Sequence, residues 1–462
     1  MREIYILTNH IIMKLKYILL APAILCLCQE MVASGATRDL PVIVNGVPWY
    51  DQRDSIVSAH GANILRDNGK YWMFGEFKTD STNNFTGFSC YSSSDLVNWK
   101  FERIALRRQA DGIMGPDRVG ERPKVLKSPA TGKYVMIMHS DNSRYKDPCV
   151  AYATSSAVDG EYEFQGPLLY KGQPIRKWDI GSFVDHDGKA YLLVHHGEIY
   201  RFADDLQSLD SCMSKGVKGV GESPAMVHKD GKYYWFSSHT TSWERNDNMY
   251  ASSASLSGPW EQHELFAPKG SNTWNSQTTF VLPIENGNDT TYMYMGDRWS
   301  FPKQRSAATY VWQPLQWIDG EPALPEYWET WSPQTMREAT PALTPADNFR
   351  WKGVRPGEAY TCRVRMGEEG RIYIKGNTSD RSAYAMVRIE DKNGKVIAET
   401  PVDFYSLAPA EGLRYISPEL GSGEYLVRIE VADMKSNWSD KKRNNYGSKG
   451  YDVEVTEIGF IR

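Results

Sequence analysis

A chain of 462 residues is longer than one ordinary core organises, so two domains or one large repeat architecture are expected. Its formal net charge of −4, with no long basic run, excludes the clustered positive surface that a nucleic-acid backbone needs. The six cysteines follow no metal-ligand spacing. The four beyond residue 36 (Cys90, Cys149, Cys212 and Cys362) are too few for a disulfide framework in so long a chain.

The first element in chain order is MKLKYILLAPAILCLCQEMVASGA, from Met13 to Ala36: two lysines, an apolar stretch, then small residues. That is the pattern of an export signal, and the apolar stretch is short for a membrane span. Residues 1–36 are therefore set apart as a signal peptide, and the mature chain is expected in the periplasm or outside the cell, with no membrane span. A lipid-anchored form would use Cys26 or Cys28, but neither follows the small residue of a lipobox.

From Ala62 a phrase begins that is written five times: ANILRDNGKYWMFGE, PKVLKSPATGKYVMIMHS from Pro123, GSFVDHDGKAYLLVHH from Gly181, PAMVHKDGKYYWFSSH from Pro224 and TTFVLPIENGNDTTYMYMGD from Thr278. Each copy is a short apolar run, a turn of Asp, Asn and Gly, and a run rich in Tyr, Trp, Met and Val, which predicts a hairpin. A second phrase follows: FSCYSSSDLVNWKFE from Phe88, VAYATSSAVDGEYEF from Val150, EIYRFADDLQSLDS from Glu198, NMYASSASLSGPWEQ from Asn248 and, more loosely, ATYVWQPLQW from Ala308. Two hairpins make a four-stranded antiparallel sheet. Five such sheets without an amphipathic helix between them predict an all-β chain that opens with a five-bladed β-propeller over residues 40–335.

Alignment of the copies places one polar residue just before each first strand: His60, Glu121, Asp179, Glu222 and Gln277. In a propeller the inner strands run side by side around the axis, so these five starts converge on one mouth. Each alone reads as a strand-end surface group. Three carboxylates together are costly unless a ligand or a reaction uses them.

Hydrolysis of a glycosidic bond with inversion needs a general acid and a base roughly 6.5–9.5 Å apart. Glu222, stiffened by Pro224 and neighboured by Asp179, suits the acid, because burial and nearby negative charge raise a carboxyl's pKa. That chemistry requires no cofactor. With no EF-hand or His-x-x-x-His spacing, a structural calcium ion on the propeller axis is the one metal role left open. Trp243 in SSHTTSW and Arg298 with Trp299 in GDRW follow second strands and are candidates to line a sugar subsite. Trp72, Trp99, Trp235 and Trp260 fall inside the repeated strands and read as packing.

The segment WETWSPQTMREATPALTPADNF, from Trp328, lacks the repeat and reads as a linker. Beyond it, alternating runs such as YAMVRIEDKNGKVIAETPV and GEYLVRIEVAD predict a β-sandwich over residues 340–462. It is either a carbohydrate-binding module or a structural partner, with Tyr405 and Trp438 as candidate sugar platforms.

The stretches SAHGANIL, KYWMFGE, GERPKVL, WDIGSFVDHDGKAYLLV, GESPAMVHKDGKYYWFSS, NMYASSASLSGPW, NSQTTFVLP and YMGDRW together resemble glycoside hydrolase family 43 over about residues 45–335. Within it they resemble the branch that includes exo-β-1,3-galactanases (subfamily 24) and the related subfamily 34. The resemblance implies that Glu222 is the general acid and that Asp179 tunes its pKa and orients the sugar. Most of the family has an Asp before the first inner strand, where this chain has His60 and Gly61. The galactanase branch is similar in lacking that base.

There the resemblance implies that Gln277, helped by Glu121, positions or activates the water. Gln277 is open to two forms, an imidic tautomer acting as base or an ordinary amide that orients water while Glu121 accepts the proton. Glu76, Tyr145 and Thr241 match positions that resemble sugar-binding residues, and His60 joins them at the mouth. The expectation is an exported, exo-acting, inverting hydrolase that takes a polysaccharide substrate and releases terminal galactose from β-1,3-galactan, as in the arabinogalactan backbone. The alternatives are the same chemistry on an arabinofuranoside or galactofuranoside, a non-catalytic sugar-binding propeller, and an adhesion propeller that binds no sugar.

Overall fold

The computed structural model describes residues 40–461 apart from Glu264, Asn288, Asn348 and 440–444, so the signal-peptide reading lies outside the described residues. The described chain is all-β, its helical content being two short turns at Gly112–Met114 and Asn272–Asn275. Neither is long and apolar enough to cross a membrane.

Five sheets, antiparallel apart from one parallel edge pairing in the third, follow one another along the chain. The first holds His60–Asp67, Lys70–Glu76, Gly87–Ser93 and Lys100–Arg107; the second Arg118–Lys127, Tyr134–Asn142, Cys149–Ser155 and Glu163–Pro167. The third holds Ile180–Val184, Ala190–Val194, Glu198–Phe202 and Ser208–Lys215, with Leu169–Tyr170 and Gln173–Pro174 added at its outer edge. Glu222–Lys229, Lys232–Ser238, Met249–Ser253 and Glu261–His263 make the fourth. The hairpin turns form where the sequence predicts them. Asn68-Gly69 and Asp230-Gly231 are two-residue turns with both φ angles positive, the geometry that matches strand twist.

The fifth sheet differs from expectation in having three strands, Gln277–Asn286, Asp289–Arg298 and Thr309–Pro314, while Gln316–Ile318 pairs separately with Glu321–Ala323. Its outer edge is occupied by residues 45–46. Gly46 N–H donates to Tyr310 O at 2.8 Å, and the Asn45 amide accepts from Trp312 N–H at 2.8 Å and donates to Trp312 O at 2.9 Å.

Each sheet packs against the next through its own apolar cluster. Phe74, Phe88, Met136 and Ala151 join the first two sheets; Ile137, Val150, Leu192 and Phe202 the second and third; Leu193, Ile199, Met226 and Trp235 the third and fourth; Val227, Phe236, Val281 and Tyr294 the fourth and fifth. Ile64 and Met73 meet Leu282, Met293 and Trp312, so the circuit returns from the fifth sheet to the first. Trp72, Trp99 and Trp235 are buried in these clusters and Trp260 packs against one, the packing role that their place in the repeat predicts. The first strands also touch in turn, first to second, second to third, and onward until the fifth meets the first. Between them Lys124, fully buried, donates its ammonium protons to Gly61 O (2.8 Å), Ala62 O (2.7 Å) and Thr279 O (3.2 Å), carbonyls of the first and fifth sheets.

The C-terminal part has two further sheets. One contains Leu343–Asp347, Val453–Ile461, Arg371–Asn377 and Glu411–Ile416, with Trp351–Gly353 also paired to Val453–Ile461. The other contains Ala359–Met366, Gly423–Val431, Tyr384–Asp391 and Val396–Asp403. They share one core, including Val364, Ile372, Ile374, Val387, Val427 and Ile458, and belong to the same compact unit as the five sheets. Tyr405 is 2% exposed and Trp438 7%, which corrects the expectation that these rings offer sugar platforms. Cys90 and Cys149 are buried free thiols, and Cys212 is a half-buried one.

Candidate active site

The five sheets present their polar residues at one end because of a backbone irregularity repeated in their first strands. Pairing slips just after the predicted residue between His60 and Asn63, Glu121 and Lys124, Glu222 and Ala225, and Thr278 and Phe280. A bulge of this kind bends the strand and re-aims a side chain. The left-handed backbone sits at the same place: Gly61 (φ 62°), Arg122 (φ 50°), Asp179 (φ 46°) and Ser223 (φ 62°). Three of those four are not glycine, and such strain persists where surrounding structure over-determines it, as at functional sites.

Opposite each predicted residue, on the neighbouring second strand, stands a second polar group. His60 pairs with Glu76, Glu121 with His139, Glu222 with Ser238 and Gln277 with Asp297, while His195 N–H donates to Asp179 O. Of these partners the sequence reading found only Glu76. The signal lay at the ends of the second runs, in KYWMFGE, KYVMIMH, KAYLLVH, KYYWFSS and TYMYMGD.

At the centre is Arg122, also missed, whose guanidinium lies against Asp179 and donates to Ser223 Oγ (2.6 Å), Thr279 Oγ1 (3.2 Å) and Gln277 Oε1 (2.9 Å). Burial opposes its charge, but Asp179 and the other carboxylates hold its pKa above the ordinary value. Gln277 is committed on both sides of its amide. Its Oε1 accepts from Arg122 and from Trp299 Nε1 (2.8 Å), both groups that only donate, so the amide orientation is forced. Its Nε2 donates to Glu222 Oε1 (2.9 Å) and Ser238 Oγ (2.9 Å).

Glu222 is half-buried, and desolvation together with the negative charge of Asp179 lifts its pKa to about 8, against the pull of Arg122. Asp179 accepts from Ser223 N–H at 2.5 Å, which ties the two neighbouring sheets at this point. Glu121 goes the other way. Burial would raise its pKa, but the hydrogen bond and charge of His139 (3.1 Å) and the Tyr145 hydroxyl, donating at 2.5 Å, take it down to about 2. His139, in spite of burial, is carried up to about 9 by Asp141 and Glu121. The mouth thus holds one carboxyl kept protonated near neutral pH and one kept ionised.

The remaining candidates divide. Tyr145, also bonded by Asn83 Nδ2 (2.8 Å), and Trp299 stand in the cluster. Glu76 is 3% exposed, accepts from Arg122 N–H (3.0 Å) and pairs with Lys78 (2.5 Å). Burial pushes its carboxyl up against the Lys78 charge. Lys78, another missed residue, lies over the rings of Trp243 and Trp299 at 5.7 and 5.5 Å. Trp243 is half-buried beside Phe301 and Trp299.

Three expectations are corrected. His60 is 0% exposed, held between Asp297 (3.1 Å) and the face of Tyr310, so it offers no surface to a sugar. Arg298 turns away from the cluster to donate to Trp274 O (2.9 Å) and Asn275 O (3.1 Å). The Thr241 hydroxyl is engaged within its own loop, by Glu244 O (2.6 Å) and Asn246 Nδ2 (2.7 Å).

Among the described residues, Asp185, His186 and His228 lie close enough to share a metal ion, but at the far ends of the first strands from this mouth. Asp185 is already bonded there to His228 (2.6 Å) and Tyr233 (2.7 Å).

The family profile described as glycosyl hydrolases family 43 matches residues 55–279, the stretch that carries all five predicted mouth residues. The chain is similar to a candidate exo-β-1,3-galactanase from Bifidobacterium bifidum s17, with 33% identity and a TM-score of 0.57 over 61% of this chain and 96% of the other. It is also similar to the exo-β-1,3-galactanase of Phanerochaete chrysosporium solved with galactose, with 27% identity and a TM-score of 0.66 over 90% of this chain and 100% of the other. A substituted form of that enzyme was solved with β-1,3-galactotriose and matches with 27% identity and a TM-score of 0.68 over 91% and 100%. No match was found among curated proteins. With the protonated and ionised carboxyls at one mouth and these similarities together, the chain belongs to glycoside hydrolase family 43 and is a hydrolase of O-glycosyl bonds.

Proposed function

We propose that the chain is an exported, exo-acting, inverting hydrolase that releases terminal galactose from β-1,3-galactan. Its architecture in this reading is a five-bladed β-propeller over residues 40–335 and a β-sandwich over 340–462, for which the circuit of apolar clusters and the shared C-terminal core are the support. The observation that carries the chemistry is Glu222, with a pKa of about 8, across the same mouth from Glu121 at about 2. An acid and a base with pKa values pushed apart can both be in their working form at neutral pH. The substrate class rests on the likeness to the P. chrysosporium enzyme, solved with galactose and with β-1,3-galactotriose.

In the reaction, Glu222 gives its proton to the glycosidic oxygen as the bond to the sugar's anomeric carbon breaks, with Asp179 keeping the carboxyl protonated until then. Water attacks the opposite face of that carbon and loses its proton to Glu121. A base of low pKa suffices because water bonding to an oxocarbenium-like centre becomes strongly acidic. An imidic Gln277 would need a proton on Oε1, where Arg122 and Trp299 already donate, so the ordinary amide is the form that fits. Once Glu222 turns to the glycosidic oxygen, the Gln277 N–H it leaves is free to orient sugar or water.

The test is a product assay of the mature chain on β-1,3-galactan, with arabinan and galactofuranosides in parallel. Galactose from the galactan supports the proposal. Release from a furanoside alone moves the substrate to a five-membered sugar with the same acid, and silence on all of them returns the chain to sugar binding.

A further inference from the structure

Two loops that line the mouth are held from outside the five sheets. Asp403, at the end of Val396–Asp403 with its side chain 7% exposed, accepts through Oδ2 from Ser300 Oγ (2.8 Å) and Ser436 Oγ (2.9 Å) and through Oδ1 from Tyr405 N–H (2.9 Å). Arg245 lies 4.0 Å from the same carboxylate and donates to Trp299 O. Tyr384 donates to the carbonyls of Ser300 and Phe301, both at 3.1 Å, and Tyr405 donates to Glu244 Oε2 at 2.7 Å. Residues 244–245 and 299–301 are thereby fixed by side chains of the C-terminal sheets.

Trp299, 5% exposed, donates its indole proton to Gln277, which in turn donates to Glu222. Polar contacts therefore run unbroken from Asp403 through Arg245, Trp299 and Gln277 to Glu222.

We infer that Asp403, with Tyr384 and Tyr405, is a positioning residue for the reaction: the C-terminal sheets set the place of Trp299, and through it the orientation of Gln277 beside Glu222. The inference rests on the hydrolytic reading of that site. Two carboxylates with largely covered side chains, Glu244 and Asp403, are costly to keep at a junction, and removing a partner from such a group is more damaging than never having buried it. A module that only tethers the enzyme to polysaccharide has no use for this arrangement. A loose Trp299 would remove one of the two donors that fix Gln277 Oε1 and leave Arg122 alone to orient the amide, and small misplacements of reacting groups are expensive.

The experiment compares the full chain with its Asp403→Asn and Tyr405→Phe forms on soluble β-1,3-galactobiose and on β-1,3-galactan. It measures kcat, KM, the pH profile and the melting temperature. Asp403→Asn keeps the shape but weakens the hold on Arg245 and Ser300. The expected result, in protein fully folded at the assay temperature, is a fall in kcat of about tenfold on the disaccharide with KM within about twofold. The alkaline limb of kcat/KM should move to higher pH, because a less firmly held Gln277 stabilises ionised Glu222 less. Tyr405→Phe should show the same pattern at about threefold.

Unchanged kcat and pH profile in folded variants would overturn the inference, as would a loss confined to the polysaccharide. Should Asp403→Asn not fold, Tyr405→Phe and Ser300→Ala decide by the same criteria. A wild-type chain silent on both sugars would instead overturn the β-1,3-galactan substrate reading on which the assay rests.

Discussion

At the scale of the residue, the site depends on a difference in proton affinity between Glu222 and Glu121. Replacing Glu222 by Gln keeps the bond from Gln277 and removes only the transferable proton. Hydrolysis of β-1,3-galactobiose should fall by about 10³-fold while binding of galactose, read by calorimetry, is retained. The pH dependence follows from the same values. Glu222 is active when protonated and its pKa is raised to about 8, so kcat/KM should be level through neutral pH and fall about tenfold per unit above about 8. Glu121, lowered to about 2, must be ionised, so no acid limb is expected above about pH 4. A profile that falls already between pH 5 and 6 would contradict the assignment of Glu222.

The four residues of the proposed mechanism were legible because each precedes a repeated strand. Arg122, His139, Ser238 and Asp297 were not read, since their meaning comes from cross-strand pairing and from bonds between sheets, such as Asp297 to Gly61 N–H at 2.9 Å. His60 was placed correctly in the chain but misread in role. A bulge that aims one side chain outward can leave its equivalent in another sheet buried.

At the scale of the element, turn chemistry made the hairpins legible, and alternating runs did the same for the C-terminal sheets. The fifth sheet escaped because its outer edge is completed by Asn45, 267 residues from its partner Trp312, a pairing no local pattern announces. The first strands carry a further element-level device in Lys124. Its ammonium serves three carbonyls among the first strands of the sheets, where the sequence left a structural calcium open. Lys124→Met should strand those acceptors and cost about 3 kcal/mol of stability, read as a lower urea midpoint with an unchanged slope. Dialysis against EDTA should leave both the melting temperature and kcat where they were. A chelator-induced drop would mean that a metal ion shares the axis with Lys124.

At the scale of the whole molecule, the C-terminal sheets are bound to the rest by an apolar seam as well as by the polar clamp. Val42, Val44 and Val47 pack with Tyr373, Leu413, Ile416 and Ile461, and Leu413 N–H donates to Glu329 at 2.5 Å. A chain lacking residues 340–462 would expose that seam, and we expect it in the insoluble fraction. A soluble, fully active truncation would show the C-terminal sheets to be dispensable. How the two parts meet was not legible from sequence, where the same strands read equally as a sugar-binding module, because burial of Tyr405 and Trp438 depends on contacts between distant segments.

The measurement that bears most directly on the whole reading is an NMR time course of the first sugar released from β-1,3-galactan. An inverting enzyme with Glu222 as acid and water activated on the opposite face predicts α-galactose first, and none from Glu222→Gln. β-Galactose appearing first would mean retention through a covalent intermediate and would contradict the assignment of Glu121 and Gln277 to the attacking water.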